Sequence, residues 1–223
     1  MKMAISHRAV RGAFLGAAMV SLLVLGTTGC GGADDEAAKG PDVAVAGTEL
    51  CGGDAVSADA AKSLKVITGV SRFEGSGMEG TVANAARKLG EASVSSSTGD
   101  GDVCRVYAPD DELRITWQLS GSAPADDPAS KFTVLKMGER ALTATDGAYL
   151  RFACRSGKLP GSEPAHIDIG VERGGMPTDP EGAPDALKDA YATVAHSFSL
   201  AMAKELGCED NAGLPETPDL TPK

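Results

Sequence analysis

Two polar residues, His166 and Asp168, are the pair whose types and spacing best suit acid–base chemistry in this sequence. They alternate with isoleucines at 167 and 169 and therefore share one face of a predicted strand, where a carboxylate can orient an imidazole as a general base. Catalysis would also need a nucleophile, but the chain contains neither a Gly-x-Ser-x-Gly elbow nor a Ser-x-x-Lys motif. A strand face exposed to solvent explains the pair better, so we expect no catalytic residue and no enzyme activity.

Residues 75–80, with the sequence GSGMEG, match the glycine pattern of dinucleotide-binding turns. Such a turn needs a parallel strand before it and a second buried strand after its helix, and the polar stretch 93–98 makes a poor buried strand. Ser76 and Glu79 instead have the spacing of a capping box. The pattern therefore predicts the start of a helix over Met78–Leu89, ended by Gly90 and followed by a polar loop over 93–101, without a nucleotide.

Acidic residues gather at Asp100 and Asp102, at 110–112, and at 126–127, where they could attract calcium. None of these clusters has the ligand spacing and closing glutamate of an EF-hand. Solvated turns explain them better, and we expect neither a metal site nor a cofactor. His196, on the last predicted helix, lies away from its apolar stripe and is predicted to be exposed.

The chain has five cysteines, and the four beyond residue 50 are widely separated. They are Cys51, Cys104, Cys154 and Cys208. Metal-binding cysteines usually come in close pairs, so disulfides formed outside the cytoplasm are favoured over zinc. Four cysteines allow three connectivities. The spacing favours Cys51–Cys104 and Cys154–Cys208, in which each half of the domain closes its own loop, and the other two connectivities remain open.

The first thirty residues follow the order of a secretory signal. A basic start with Lys2, Arg8 and Arg11 precedes an apolar run over residues 13–25, and small residues follow. This run is too short for a helix that crosses about 30 Å of hydrocarbon. The segment therefore predicts export and argues against a permanent transmembrane helix.

Cys30 comes directly after this segment, preceded by Thr28 and Gly29. Gly29 and Cys30 match the lipobox and Thr28 is accepted there, whereas Thr27 departs from the Leu-like residue that is usual at its position. The chain in this region resembles a bacterial lipoprotein precursor. The resemblance implies removal of residues 1–29, acylation of Cys30 and attachment to membrane lipid on the outer face of the cytoplasmic membrane. An ordinary cleaved signal, and hence a secreted protein, is the alternative.

The mature chain would be strongly acidic. Removing residues 1–29, which contain three basic residues and no acidic one, changes the formal charge from −10 to −13. Such a chain is repelled by nucleic acid and by anionic headgroups, because both require cationic side chains. We therefore expect no nucleic-acid partner, and the acyl chains alone would hold the protein at a membrane.

The mature sequence divides into three parts. Residues 30–50 are rich in Gly, Ala and acids and predict a flexible spacer, and residues 209–223, with three prolines, predict a disordered tail. The part between them, 51–208, is long enough for one disulfide-linked domain. Aromatic residues make up 4% of the chain, so the core must consist mainly of Val, Leu, Ile and Ala.

The periodicity within 51–208 predicts an α+β fold. Ser57 and Gly69 bound a first short helix, and Pro184 and Gly207 bound a long last helix. Strands are predicted over 103–107, 113–119, 132–137, 141–145, 148–154 and 166–172, with a hairpin turn at 146–147. We expect an antiparallel sheet of five to six strands, covered by the long C-terminal helix and accompanied by two shorter N-terminal helices.

The whole pattern, from the lipobox to the closing helix that ends Leu-Gly-Cys, resembles lipoproteins of actinobacterial cell envelopes. This resemblance implies a location and disulfides but no activity. We expect a membrane-anchored extracytoplasmic lipoprotein that acts as a non-enzymatic binding module for an envelope protein or a small ligand. The alternatives are an envelope hydrolase using His166 and Asp168, and a passive structural or signalling lipoprotein.

Overall fold

A computed structural model describes residues 44–109, 111–123, 125–174 and 182–223. The predicted signal peptide, Cys30 and most of the predicted spacer lie outside these residues. The described residues all fall in one compact unit of the chain. Within them, every helix is too short or too polar to span a bilayer.

The fold class is α+β, as predicted, with an antiparallel six-stranded sheet in the order β3-β4-β8-β7-β6-β5 and a separate two-stranded sheet β1-β2. The strands are β1 Ala44–Ala46, β2 Arg72–Glu74, β3 Gly99–Ala108, β4 Asp111–Ser120, β5 Thr133–Leu135, β6 Arg140–Thr143, β7 Gly147–Cys154 and β8 Ala165–Arg173. The helices are α1 Ala58–Thr68, α2 Val82–Ser95 and α3 Pro184–Leu206, with short 3-10 helices at Gly47–Gly52 and Glu209–Gly213.

Alternation along the central strands gives the six-stranded sheet one buried face. On β4, Leu113, Ile115, Trp117 and Leu119 are all buried, and the residues between them are half-buried or exposed. Ile167 and Ile169 are likewise buried on β8, the neighbour of β4. This face packs against the helices, while the opposite face carries polar side chains.

α3 covers the buried face of the sheet and contacts β6, β7 and β8. It begins with a proline and ends at Gly207, which adopts the left-handed conformation of a C-cap. The prediction that His196 is exposed was wrong, because its side chain is 3% exposed. The residues after α3 fold back over this side of the helix, and Nε2 of His196 lies 2.8 Å from the carbonyl oxygen of Pro215.

α2 lies further along the chain than predicted. Thr81 caps it by accepting from the backbone N–H of Asn84, while the Ser76–Glu79 capping box does not form. Ser76 Oγ instead accepts from the backbone N–H of Cys51. Gly90 lies inside the helix, which runs to residue 95, and β3 begins at residue 99, so the predicted polar loop over 93–101 was also wrong.

Two disulfide bonds join elements that are far apart in the sequence. Cys51 pairs with Cys104 of β3 across a separation of 53 residues, and Cys154 at the end of β7 pairs with Cys208 after α3 across 54 residues. The expected disulfide bonds are thus present, in the connectivity that the spacing favoured. They fit an oxidised, extracytoplasmic domain.

Both ends of the folded part extend beyond the predicted limits of 51–208. The spacer prediction fails from Ala44 onward, since β1 pairs with β2 and Leu50 is fully buried. The prediction of a disordered tail over 209–223 fails as well, because Leu214 is buried and Pro222 forms an antiparallel bridge with Leu135 of β5. Composition alone missed both segments because long-range backbone pairing, not a long apolar run, holds them.

Candidate functional site

A cleft of about 610 Å³ opens at one end of the six-stranded sheet, between the end of α2, the end of β4, the start of β8 and the loop 155–164. We call it the serine cleft. Its polar lining consists of Ser93, Ser96, Ser97, Ser120, Ser162, Glu163 and His166. Its volume falls in the range of about 300–1,000 Å³ that is usual for small-molecule sites.

His166 is the second residue of β8 and lines the cleft, directly opposite Ser120 of β4. Its Nδ1 lies 2.8 Å from Oε2 of Glu139, and both side chains are about one-fifth exposed, at 19% and 23%. This carboxylate holds the ring in one orientation. Nε2 is then the ring nitrogen that remains for a ligand in the cleft.

Glu139 is placed by the turn between β5 and β6. Gly138 in this turn has a φ of +55°, and a Cβ there would collide with the carbonyl oxygen of Arg151 on β7. The backbone N–H of Glu139 donates to that same carbonyl, at 2.8 Å. A glycine is therefore required for the turn to lie close enough to β7 for the glutamate to reach the imidazole.

Asp168 does not orient His166 as the strand spacing suggested. Its Oδ2 accepts from Nε and Nη2 of Arg151, at 2.6 and 2.5 Å, and from the hydroxyl of Ser120, at 3.3 Å. Arg151 and Asp168 are cross-strand partners, and each side chain is only 14% exposed. Asp168 thus binds β7 to β8 and positions Ser120 at the floor of the cleft.

The arrangement combines a hydroxyl, an imidazole and two carboxylates, but they are not connected as a catalytic triad. A nucleophilic serine must pass its proton to a histidine. The Ser120 hydroxyl donates to Asp168 instead, and the carboxylate beside His166 belongs to Glu139. These contacts therefore hold the side chains in place without forming a proton path from Ser120 to His166.

The charge of the cleft disfavours anions. Among the described residues that line it there is no lysine or arginine, whereas Glu163 contributes a carboxylate. Ser96 is the C-cap of α2, so the negative end of that helix dipole also points to this region. A neutral molecule rich in hydroxyl groups matches such a lining best, because serine hydroxyls and a histidine both donate and accept hydrogen bonds.

The other candidates from the sequence lack the expected geometry where the structure describes them, and Asp110 of the second acidic cluster lies outside the described residues. Residues 75–80 follow β2, which is antiparallel to β1, so the parallel strand of a dinucleotide fold is missing there. Burial raises the pKa of the Asp102 carboxyl, but hydrogen bonds and charge from Arg114 and Arg105 outweigh it and lower that pKa overall. No group of three or more His, Cys, Asp or Glu side chains that could hold a metal occurs in the described part of the chain.

Local sequence spacing singled out only His166 and Asp168 of this site, and it missed the cleft serines, Glu163 and the partners Glu139 and Arg151. Alternation predicts which face of a strand each residue occupies, but not which residues of the neighbouring strands lie opposite. Comparison with known proteins adds no further site residues. A scan against protein-family models matched none of them, and searches of curated proteins and of solved structures also found no match.

Proposed function

We propose that this protein is a lipoprotein of the cell envelope, anchored to the outer face of the cytoplasmic membrane through an acylated Cys30, whose folded domain binds a small ligand without altering it chemically. The observation that carries the binding role is the serine cleft, which brings several hydroxyl groups together with the imidazole of His166, a ring held by Glu139. The signal-like N-terminus and the two disulfides support the location.

The proposed ligand is an uncharged, hydroxyl-rich small molecule such as a mono- or disaccharide. Its hydroxyls would exchange hydrogen bonds with the serines and with Nε2 of His166. An anionic ligand would be repelled by Glu163 and by the net negative charge of the chain. A cleft of this size favours a small molecule over the envelope protein that the sequence left as an alternative.

Filling the cleft tests the binding role. Ser162 is an exposed residue of the cleft wall, and we expect Ser162→Trp to abolish binding of a neutral disaccharide probe while leaving the unfolding midpoint close to wild type. Ser130→Trp introduces the same side chain at an exposed position outside the cleft lining and is the matched control. Isothermal titration against a panel of neutral mono- and disaccharides gives the affinities. Equal binding by Ser162→Trp and wild type would rule out the cleft as the site.

The anchor is tested separately in cells. Metabolic labelling with an alkyne fatty acid should mark the wild-type protein and not Cys30→Ala, because the proposed acylation site is then absent. The mature Cys30→Ala protein should also leave the membrane fraction. Equal labelling of the two proteins would refute the anchor, and the N-terminal segment would then be an ordinary cleaved signal of a secreted protein.

A hydrolase is the second candidate, favoured by the pairing of His166 with a carboxylate and by Ser120 on the neighbouring strand. It requires Ser120 to leave Asp168 and donate to the imidazole when a substrate binds. A fluorophosphonate probe discriminates the two functions. Labelling of Ser120 that disappears in His166→Gln would establish the hydrolase, and an unlabelled wild-type protein supports the binding role.

A further inference from the structure

The residues after α3, 209–223, form a strap that turns back along the helix and ends against the edge of the sheet. The backbone N–H of Lys136 donates to the carbonyl of Thr221 at 3.2 Å, and that of Lys223 donates to Val134 at 2.9 Å. The strap therefore adds one short antiparallel segment outside β5, the last strand of the sheet.

Between the helix and the sheet edge, side chains also hold the strap, and Ala212 and Leu220 pack against the core. Leu214 is buried, and the carbonyl of Pro215 contacts His196. Nζ of Lys204 lies 3.1 Å from Oε2 of Glu216, in an ion pair whose side chains are 49% and 70% exposed. Most of the strap's attachment thus consists of contacts that an identical strap from another molecule can make equally well.

The hinge that sends the strap back onto its own molecule is strained. Asp210, Asn211 and Ala212 have φ angles of +48°, +51° and +58°, so three consecutive residues other than glycine adopt the left-handed conformation. This conformation is unfavourable for L-residues that carry a Cβ. Extending the hinge would relieve the strain, and an extended hinge directs the strap away from its own α3.

We propose that two copies of this chain exchange their straps, so that each strap pairs with β5 and α3 of the other copy. The interaction surface is the outer edge of β5 together with the side of α3 around His196 and Lys204. Exchange preserves the contacts of residues 214–223 with α3 and β5, while the closed hinge gives up its own backbone hydrogen bond from Asn211 to Cys208 and the packing of Ala212 against the core. Removal of the left-handed conformation offsets this loss, and strain in a short hinge is the usual energetic basis of domain swapping. The proposal is independent of the serine cleft and of its ligand.

Isotope-coded cross-linking tests the exchange. Protein at natural abundance and ¹⁵N-labelled protein are incubated together at high concentration and treated with a carbodiimide, which joins Lys204 to Glu216 directly. We expect cross-linked peptide pairs that combine one light and one heavy partner. If every Lys204–Glu216 cross-link joins peptides of the same isotope, the strap stays on its own chain and the proposal is wrong.

Hinge variants supply the matched controls, because the side chain of Asp210 is exposed and makes no packing contribution. Asp210→Gly relieves the strain of the closed hinge and should therefore disfavour the dimer. The dimer dissociation constant should rise about 25-fold, because each of the two hinges contributes a factor of roughly five. Asp210→Pro cannot adopt a positive φ and also disfavours a helical Glu209, so it should shift the chain to dimers.

Light scattering after size-exclusion chromatography measures these dissociation constants. A monomeric Asp210→Pro, or a dimer of this variant without mixed-isotope cross-links, would overturn the proposal. Should Asp210→Pro fail to fold, the comparison of wild type with Asp210→Gly decides. Equal dimer populations in these two proteins, or a wild type that stays monomeric at high concentration, would also overturn it.

Discussion

The ion pair between Arg151 and Asp168 should contribute more to stability than the exposed ion pairs of this domain. Asp168→Asn removes the negative charge. The side chain of Arg151, which is only 14% exposed, then lacks its counter-charge. Hydrogen bonds to charged groups contribute about 1.5–3 kcal/mol, and the loss of one partner of a fully buried pair costs about 3–5 kcal/mol. For this partly accessible pair we expect a loss of about 2–3 kcal/mol.

Asp146→Asn is the matched control. Asp146 pairs with Lys131 at 2.9 Å, but their side chains are 51% and 56% exposed. The substitution is the same, and an Asn-Gly sequence suits the hairpin turn at 146–147 as well as Asp-Gly does. Solvent screens this pair, so we expect a loss of at most about 0.5–1 kcal/mol.

Urea unfolding with the disulfides intact measures both losses, with the fluorescence of Trp117, the chain's single tryptophan, as the signal. A double variant, Arg151→Met with Asp168→Asn, should recover part of the loss because it no longer leaves a charge without its partner. Equal destabilisation by Asp168→Asn and Asp146→Asn would refute the reasoning that burial makes the first pair stronger.

Two further predictions concern His196 and Gly138. Burial lowers the pKa of His196 from its ordinary 6.5, although the carbonyl of Pro215 opposes this. Because folding keeps this imidazole neutral, its contribution to the free energy of unfolding is complete above pH 6.5, the ordinary pKa. The contribution decreases as the pH falls towards the lower pKa of the folded state, by up to about 1.4 kcal/mol per pH unit. His196→Gln should flatten the dependence of the urea midpoint on pH between pH 7.5 and 5.5. A slope equal to that of the wild type would contradict the assignment. Gly138→Ala should lower the free energy of unfolding by more than about 2 kcal/mol, because the new Cβ collides with Arg151 and the backbone is strained. Gly53→Ala is the control for strain alone in the same urea assay, because Gly53 has a φ of +85° and open space around it.

Local signals in the sequence predicted the main elements of the fold. Pro184 and Gly207 mark the two ends of α3, and strict alternation along β4 marks its buried face. These features depend on residues close together in the chain. The start of α2 was missed because Ser76 and Thr81 are both good caps, and the backbone N–H of Cys51, far away in sequence, binds the Ser76 hydroxyl.

The candidate site could be predicted only in part, because its contacts depend on strand register. The sequence showed that His166 and a carboxylate share one sheet face, but spacing pointed to Asp168. The actual partner, Glu139, is separated from His166 by 27 positions and is brought in by the turn at Gly138. A hairpin turn at 146–147 fixes β7 against β6, yet nothing local shows that Arg151 lies opposite Asp168 on β8.

The two disulfides offer a direct test of whether the serine cleft is a functional site. The loop 155–164, which supplies Ser162 to the cleft, is tied to the end of α3 by the Cys154–Cys208 bond. The hydroxyl of Ser156 also donates to the carbonyl of Leu206, at 2.5 Å. Loss of this disulfide should therefore loosen one wall of the cleft as well as destabilise the domain.

The Cys51–Cys104 bond is the natural control, because it closes a loop of 53 residues against 54. In the chain-entropy description, removal of either bond costs a similar amount, roughly 4 kcal/mol. Cys104 lies opposite Ile115, which is about 17 Å along β4 from the cleft residue Ser120. Replacing both cysteines of each bond by alanine should lower the two unfolding free energies equally, whereas the affinity for a neutral disaccharide should fall only in the Cys154/Cys208 variant. Equal affinities in two folded variants would show that the loop wall takes no part in binding.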